Sequence, residues 1–86
     1  MHKYKVLIRV RNANTNQVVS QRKIFEDYNL AVAHIQSFLS PEYVIKMKFF
    51  EDNLAFGNGE IRWCGNELIN YEPALNLMKK ILKIEN

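Results

Sequence analysis

The sequence predicts an α+β domain of order ββαββα, in which a mainly antiparallel sheet carries two helices on one face. Three observations lead there. Two stretches, 3–11 and 43–50, alternate along a strand period; two others, 28–39 and 71–83, repeat apolar residues at helical spacing; and clusters of Asn, Asp and Gly separate them.

The first strand, Lys3 to Arg11, has two unlike faces. Successive side chains leave a strand on opposite sides, so Tyr4, Val6, Ile8 and Val10 form an apolar row, and Lys3, Lys5, Leu7, Arg9 and Arg11 a basic one. Residues 12–17, with three Asn, form a turn, because Asn tolerates left-handed backbone and bonds locally. Val18 to Phe25 returns as the second strand of a hairpin. Its alternate rows are Val18, Ser20, Arg22, Ile24 and Val19, Gln21, Lys23, Phe25, so either register turns a cation toward the core. An edge position with a bulge relieves that conflict.

Asp27 is a good N-cap and Ser40-Pro41 ends the helical pattern, which places a helix over 28–39 with Tyr28, Ala31, Ile35, Phe38 and Leu39 as its buried stripe. In the third strand Tyr43, Ile45, Met47 and Phe49 alternate with Val44, Lys46, Lys48 and Phe50. After the turn residues Glu51-Asp52-Asn53 the pattern allows an extra short strand at 54–56. Gly57-Asn58-Gly59 then predicts a tight hairpin turn, from which Glu60 to Cys64 returns. Gly65-Asn66 breaks that run. Asn70 is placed as the cap of a second helix reaching Lys83, with Pro73 in its first turn, Ala74, Leu75, Met78, Ile81 and Leu82 inward, and Lys79, Lys80 and Lys83 near its negative end. Shifting the chain by 43 residues lays Asp27 on Asn70, Tyr28 on Tyr71, Ala31 on Ala74 and Leu39 on Leu82. Two helices packing on one sheet converge on such a pattern, and so does a duplicated ββα unit.

Length and composition bound the rest. At 86 residues, 48% hydrophobic and 24% charged, with three Gly and two Pro, the chain reads as one ordered domain over 1–86 rather than a disordered segment. A domain this small buries only about 60–70% of its unfolded surface, which leaves little for a deep pocket. A lone Cys64 forms no internal disulfide, and the N-terminus leads straight into a strand with no apolar run near membrane length. The expectation is therefore a cytoplasmic protein with neither signal peptide nor anchor. Ten Asn, eight Lys and eight Ile suit an AT-rich genome, as in some bacteria and many of their phages.

The net charge of +3 is a weak signal, but its distribution is not. With both helices on the Tyr4–Val10 side, the opposite face collects Lys3, Lys5, Arg9 and Arg11 from the first strand and Lys46 and Lys48 from the third, with Arg62 able to join. Leu7 and Phe50 add apolar contact. Most acids (Glu26, Asp27, Glu42, Glu51, Asp52, Glu67 and Glu72) fall at turns and helix starts. Such a face suits phosphates or acidic proteins, although long cationic stems also cover a flat half-solvated sheet for purely structural reasons.

No residues compose a catalytic, cofactor or metal signature. Trp63-Cys64-Gly65 resembles the start of a thioredoxin-like site, but the resolving thiol would be at 67, which is Glu. His2 and His34 lack the spacing of a metal site with Cys64. Gly57-Asn58-Gly59 lacks the Lys-Ser/Thr ending of a phosphate loop, and Glu51-Asp52 reads as a solvated turn rather than an acid-base pair. Lys46 to Phe50 misses the Gly-aromatic pattern of an RNA-recognition sheet. The sequence thus points to a small non-enzymatic binding or inhibitory protein, of a kind that phages and mobile elements encode against host machines. It would engage an acidic protein or nucleoprotein through Lys5, Arg9, Arg11, Lys46, Lys48, Phe50 and Arg62. Direct nucleic-acid binding is the first alternative, and a small enzyme or enzyme subunit is the second. Monomer and homodimer are both open, because the second strand or Leu7 and Phe50 can pair two chains.

Overall fold

Alternation in the first and third strands decides the sheet. In the computed structural model, which describes residues 3–84, β1 (Tyr4–Asn12) and β3 (Tyr43–Glu51) pair antiparallel along their whole length, from Tyr4 opposite Glu51 to Asn12 opposite Tyr43. With β2 (Val18–Phe25), β4 (Leu54–Cys64) and β5 (Glu67–Ile69), they form an antiparallel sheet of order β2-β1-β3-β4-β5. Val6, Ile8 and Val10 of β1 and Ile45, Met47 and Phe49 of β3 are buried at matching positions. Helices α1 (Tyr28–Gln36) and α2 (Tyr71–Lys79) both lie on this row: Ala31 and Ile35 from one, Ala74 and Met78 from the other, share one core with it. The order is ββαβββα, and both helices cover one face. Burying each large aliphatic side chain of this row is worth about 1.5–3 kcal/mol, which is why the apolar parity overrides weaker local signals.

Each helix is placed by its start. The Asp27 carboxylate accepts the Leu30 amide at 3.0 Å and fixes the entry to α1. Asn70 acts differently from the cap expected of it: its backbone is left-handed (φ 65°, ψ 16°) and its side chain makes no capping bond. The Asn70 carbonyl still accepts the Ala74 amide at 3.2 Å, so this residue contributes its tolerance of positive φ rather than its side-chain oxygen. Beyond Lys79 the helix continues as a wider π turn, Lys80–Ile84, that buries Ile81 and Leu82. The Lys83 ammonium lies 5.2 Å from the Tyr28 ring centroid and ties the two helices together.

Two local expectations are corrected, the separate short strand at 54–56 and the hairpin turn at Gly57-Asn58-Gly59. Residues 54–56 are extended, but they belong to one uninterrupted strand β4, and Gly57-Asn58-Gly59 lies within it. The β3–β4 hairpin turns at Asp52-Asn53, within the stretch Glu51-Asp52-Asn53 read as a turn from the sequence, with Asp52 at φ 55°. Packing explains why glycine occurs here: a Cβ on Gly59 would come within 3.2 Å of Met47 Cε and 3.4 Å of Phe49 Cε2. The glycine therefore makes room for the core of β3. Pairing then slips between Phe49 and Phe50, leaving Phe56 as an extra residue whose ring meets Tyr4 and Phe49 at centroid distances of 5.9 and 6.3 Å. The additional strand is β5, reached through Gly65 at φ 62°. Strand β2 is an edge with two register shifts, between Ile8 and Val10 and between Val10 and Arg11, and Lys23 stays exposed although its partner Ile8 is buried.

Candidate functional site

Opposite the helices, side chains of four strands share one surface. Across the central pair, Lys5 faces Phe50, Leu7 faces Lys48, Arg9 faces Lys46 and Arg11 faces Val44. Toward β4, Lys46 meets Glu60 and Lys48 meets Asn58; toward β2, Leu7 meets Ile24 and Arg11 meets Val18. Arg62 leaves β4 on this side, opposite Ile69. Adjacent strands are about 4.8 Å apart and same-face neighbours along a strand roughly 6.8 Å, so Arg9, Arg11, Lys46 and Lys48 occupy a tight grid.

Their partners divide these cations into two groups. Arg62 is paired with Glu60 at 3.3 Å, Arg11 donates to the Asn16 carbonyl at 3.0 Å, and Lys5 reaches Asn53 Oδ1 at 3.5 Å. The side chains of Arg9, Lys46 and Lys48 make no hydrogen bond or ion pair among the described residues. Lys3, of the same parity, is drawn to Glu26 at 2.9 Å. That hydrogen bond, aided by the charges of Lys3 and Lys5, holds the Glu26 carboxyl below its ordinary value against a smaller opposing effect of desolvation.

Two depressions indent the face. Arg9, Arg11 and Arg22, with Val18 and Gln21, line one of about 420 Å³; Arg11, Asn16, Val44, Lys46, Glu60 and Arg62 line a smaller one of about 200 Å³. Arg22, Ile24 and Glu60 are members of this surface beyond those expected from the sequence. Glu60 was legible, since it shares its parity with Arg62 along one strand. Arg22 and Ile24 were not, because the bulges of β2 break the parity rule that assigns a strand residue to a face.

The remaining candidate residues go elsewhere. His34 lies between the rings of Phe25 and Phe38, each 5.3 Å away by centroid, and its Nε2 is 3.4 Å from Ser20 Oγ. Burial, and then the charge of Lys23, push its imidazole below the ordinary value of 6.5. Cys64 is exposed at the end of β4, and no group of three or more His, Cys, Asp or Glu among the described residues is arranged to hold a metal. The Trp63 indole N–H is buried without a partner among the described residues. No helix among them is long and apolar enough to cross a membrane. The fold and this surface thus define a small α+β chain with a helix-free, predominantly basic sheet face. No protein-family model, curated protein or solved structure matches the chain.

Proposed function

We propose that this chain is a small non-enzymatic binding or inhibitory protein that holds an acidic protein or nucleoprotein against the open face of its sheet. The observation that supports it is the direct opposition of Arg9 and Lys46, unpaired cations on neighbouring strands. Like charges placed opposite each other destabilise a sheet, by an amount similar to the roughly 0.2–1 kcal/mol that favourable cross-strand pairs contribute. A face that needed only long stems to cover it is served equally well by mixed charges, so retaining this repulsion favours a role for the cations in binding. An acidic protein is preferred to nucleic acid because Phe50 is the one aromatic among the described residues of this face, and it is half-buried. Base recognition on a sheet uses several exposed rings.

The test is capture from a lysate of the source cell by the tagged chain, with and without nuclease, alongside the Arg9, Arg11, Lys46 and Lys48 to Glu quadruple variant. Capture of a nuclease-resistant acidic partner by the parent, lost in a folded quadruple variant, is the expected result. Retained capture by that variant would remove the site. A nuclease-sensitive signal, with affinity falling by about 0.9 log unit per log unit of salt for each duplex phosphate neutralised, would reassign the face to nucleic acid.

A further inference from the structure

We infer that the outer edge of β4 docks an extended acidic segment of a partner protein, which adds to the sheet as a sixth strand. The acidity of that segment rests on the basic-face reading above, whereas the strand addition rests on the backbone.

The edge is open for a reason visible in the chain. Strand β5 pairs only with Arg62, Trp63 and Cys64, and the left-handed backbone of Asn70 then turns the chain off the sheet into α2. From Leu54 to Ile61, β4 has no strand on its outer side, and its backbone makes no further backbone hydrogen bond among the described residues. Unpaired strand edges are templates for another chain, and proteins ordinarily blunt them with bulges, cations or proline. The opposite edge of this sheet is blunted in that way: β2 carries two register shifts and the cations Arg22 and Lys23. Residues 54–61 contain no cation and no proline, have one irregularity at Phe56, and leave Leu54 77% and Phe56 49% exposed.

The surroundings of this edge select the occupant. A groove of about 600 Å³ wraps around it, bordered by Met47, Pro73 and Leu77 on the helix side and by Arg9, Lys46, Lys48 and Glu60 on the open side, where the Glu60 carboxylate is already paired with Arg62. Gly57 and Gly59 put no side chain of their own in front of it. A strand entering here turns alternate side chains to the two sides, so it fits best with apolar residues toward Pro73 and Leu77 and carboxylates toward Lys46 and Lys48. Strand β3 is two strand spacings away, roughly 10 Å, which two long side chains span between them. A second copy of this chain fits less well, since edge-to-edge pairing extends one cationic face into another, and a nucleic acid has no peptide groups with which to continue the ladder.

The probe is a blocked nine-residue peptide of alternating Val and Glu, titrated into the isotopically labelled full chain and followed by amide chemical shifts. Two further versions carry N-methyl groups at the odd or the even positions, and a fourth has Lys in place of Glu. Strand addition predicts shifts along 54–61, at least tenfold weaker binding for one N-methylated peptide with the other like the parent, and at least tenfold weaker binding for the Lys peptide. Equal binding of both N-methylated peptides, or shifts confined to Arg9, Lys46 and Lys48, overturns the strand addition while leaving the basic-face reading in place. An N-methyl effect with equal binding of the Glu and Lys peptides overturns the acidic specificity and counts against that reading as well. No binding, or a dimer in sedimentation that buries this edge, also overturns the inference.

Discussion

Phe49 and Gly59 provide a quantitative test of how the central sheet is packed. Phe49 is 1% exposed and is the largest of the fully buried side chains, with its ring extending from β3 over the glycines of β4. Phe49→Ala is expected to cost about 3–5 kcal/mol, a large share of the roughly 4–13 kcal/mol typical of a chain this long, and to lower Tm by at least about 12 °C. Gly59→Ala alone forces a Cβ to 3.2 Å from Met47 Cε and 3.4–3.5 Å from the Phe49 ring. Overpacking of that kind costs about 1–3 kcal/mol, offset by roughly 0.4–1 kcal/mol from stiffening the unfolded chain. Once Phe49 is Ala, the ring atoms are gone and the remaining neighbour is the flexible end of Met47. In that background Gly59→Ala should therefore stabilise by about 0.4–1 kcal/mol. Urea melts of the four proteins, followed by circular dichroism, read the coupling. A double variant more stable than the sum of the single changes by about 1 kcal/mol or more supports this packing. Additivity within about 0.5 kcal/mol, or a Phe49→Ala cost below about 1 kcal/mol, would refute it.

Further outcomes follow from single contacts. Asp27→Ala should lose about 1 kcal/mol by removing the cap on the Leu30 amide, while Asp27→Asn should lose much less, as urea melts will show. Gly65 sits at φ 62°, and a Cβ added to it would meet no atom within 4 Å, so Gly65→Ala should cost about 1–2 kcal/mol from backbone strain alone and Gly65→Asn less. His34 has a folded pKa below its unfolded value, so the unfolded state binds more protons between the two. Its contribution to stability is complete above the unfolded value near 6.5 and falls as the pH drops toward the lowered folded one. Stability measured from about pH 7.5 to about pH 5 should decline on acidification, and His34→Phe should flatten that decline. Glu26, lowered by Lys3, adds an acid-side loss beginning below its ordinary 4.5, which Lys3→Met should remove.

What the sequence could disclose depended on how far each signal reached. Parity in β1 and β3 was legible because nine regular residues pair without a bulge and six buried side chains enforce one face. The same parity placed Lys5, Arg9, Arg11, Lys46, Lys48 and Phe50 on the face away from the helices. Features decided by contacts distant in sequence were not legible. Gly57-Asn58-Gly59 carries a genuine turn signal locally, but the need of Met47 and Phe49 for space keeps it inside β4. Strand β5 is three residues long, too short for an alternation to register, and is held through Arg62, Trp63 and Cys64. Asn70 fits both a capping side chain and a left-handed turn, and the departure of the chain from β5 selects the second.

Arg9 separates a binding role from mere coverage of the sheet most directly. It stands opposite Lys46 and shares a depression with Arg11 and Arg22, so its surroundings are cationic on both sides. Arg9→Gln keeps much of the covering stem and removes one member of the repulsive pair, which should stabilise the fold by roughly 0.2–1 kcal/mol. Arg9→Glu turns the repulsion into attraction and should stabilise by about as much again, with the increment shrinking in about 1 M salt as screening takes hold. Partner binding should move the other way, weakening in Arg9→Gln and further in Arg9→Glu. If the arginine stem served only to cover the sheet, both variants would be less stable than the parent and binding would not follow charge. An Arg9→Glu protein less stable than Arg9→Gln at low salt would show that the charge of Arg9 is not opposed by its neighbours, and the argument for a retained, costly cation would fail with it.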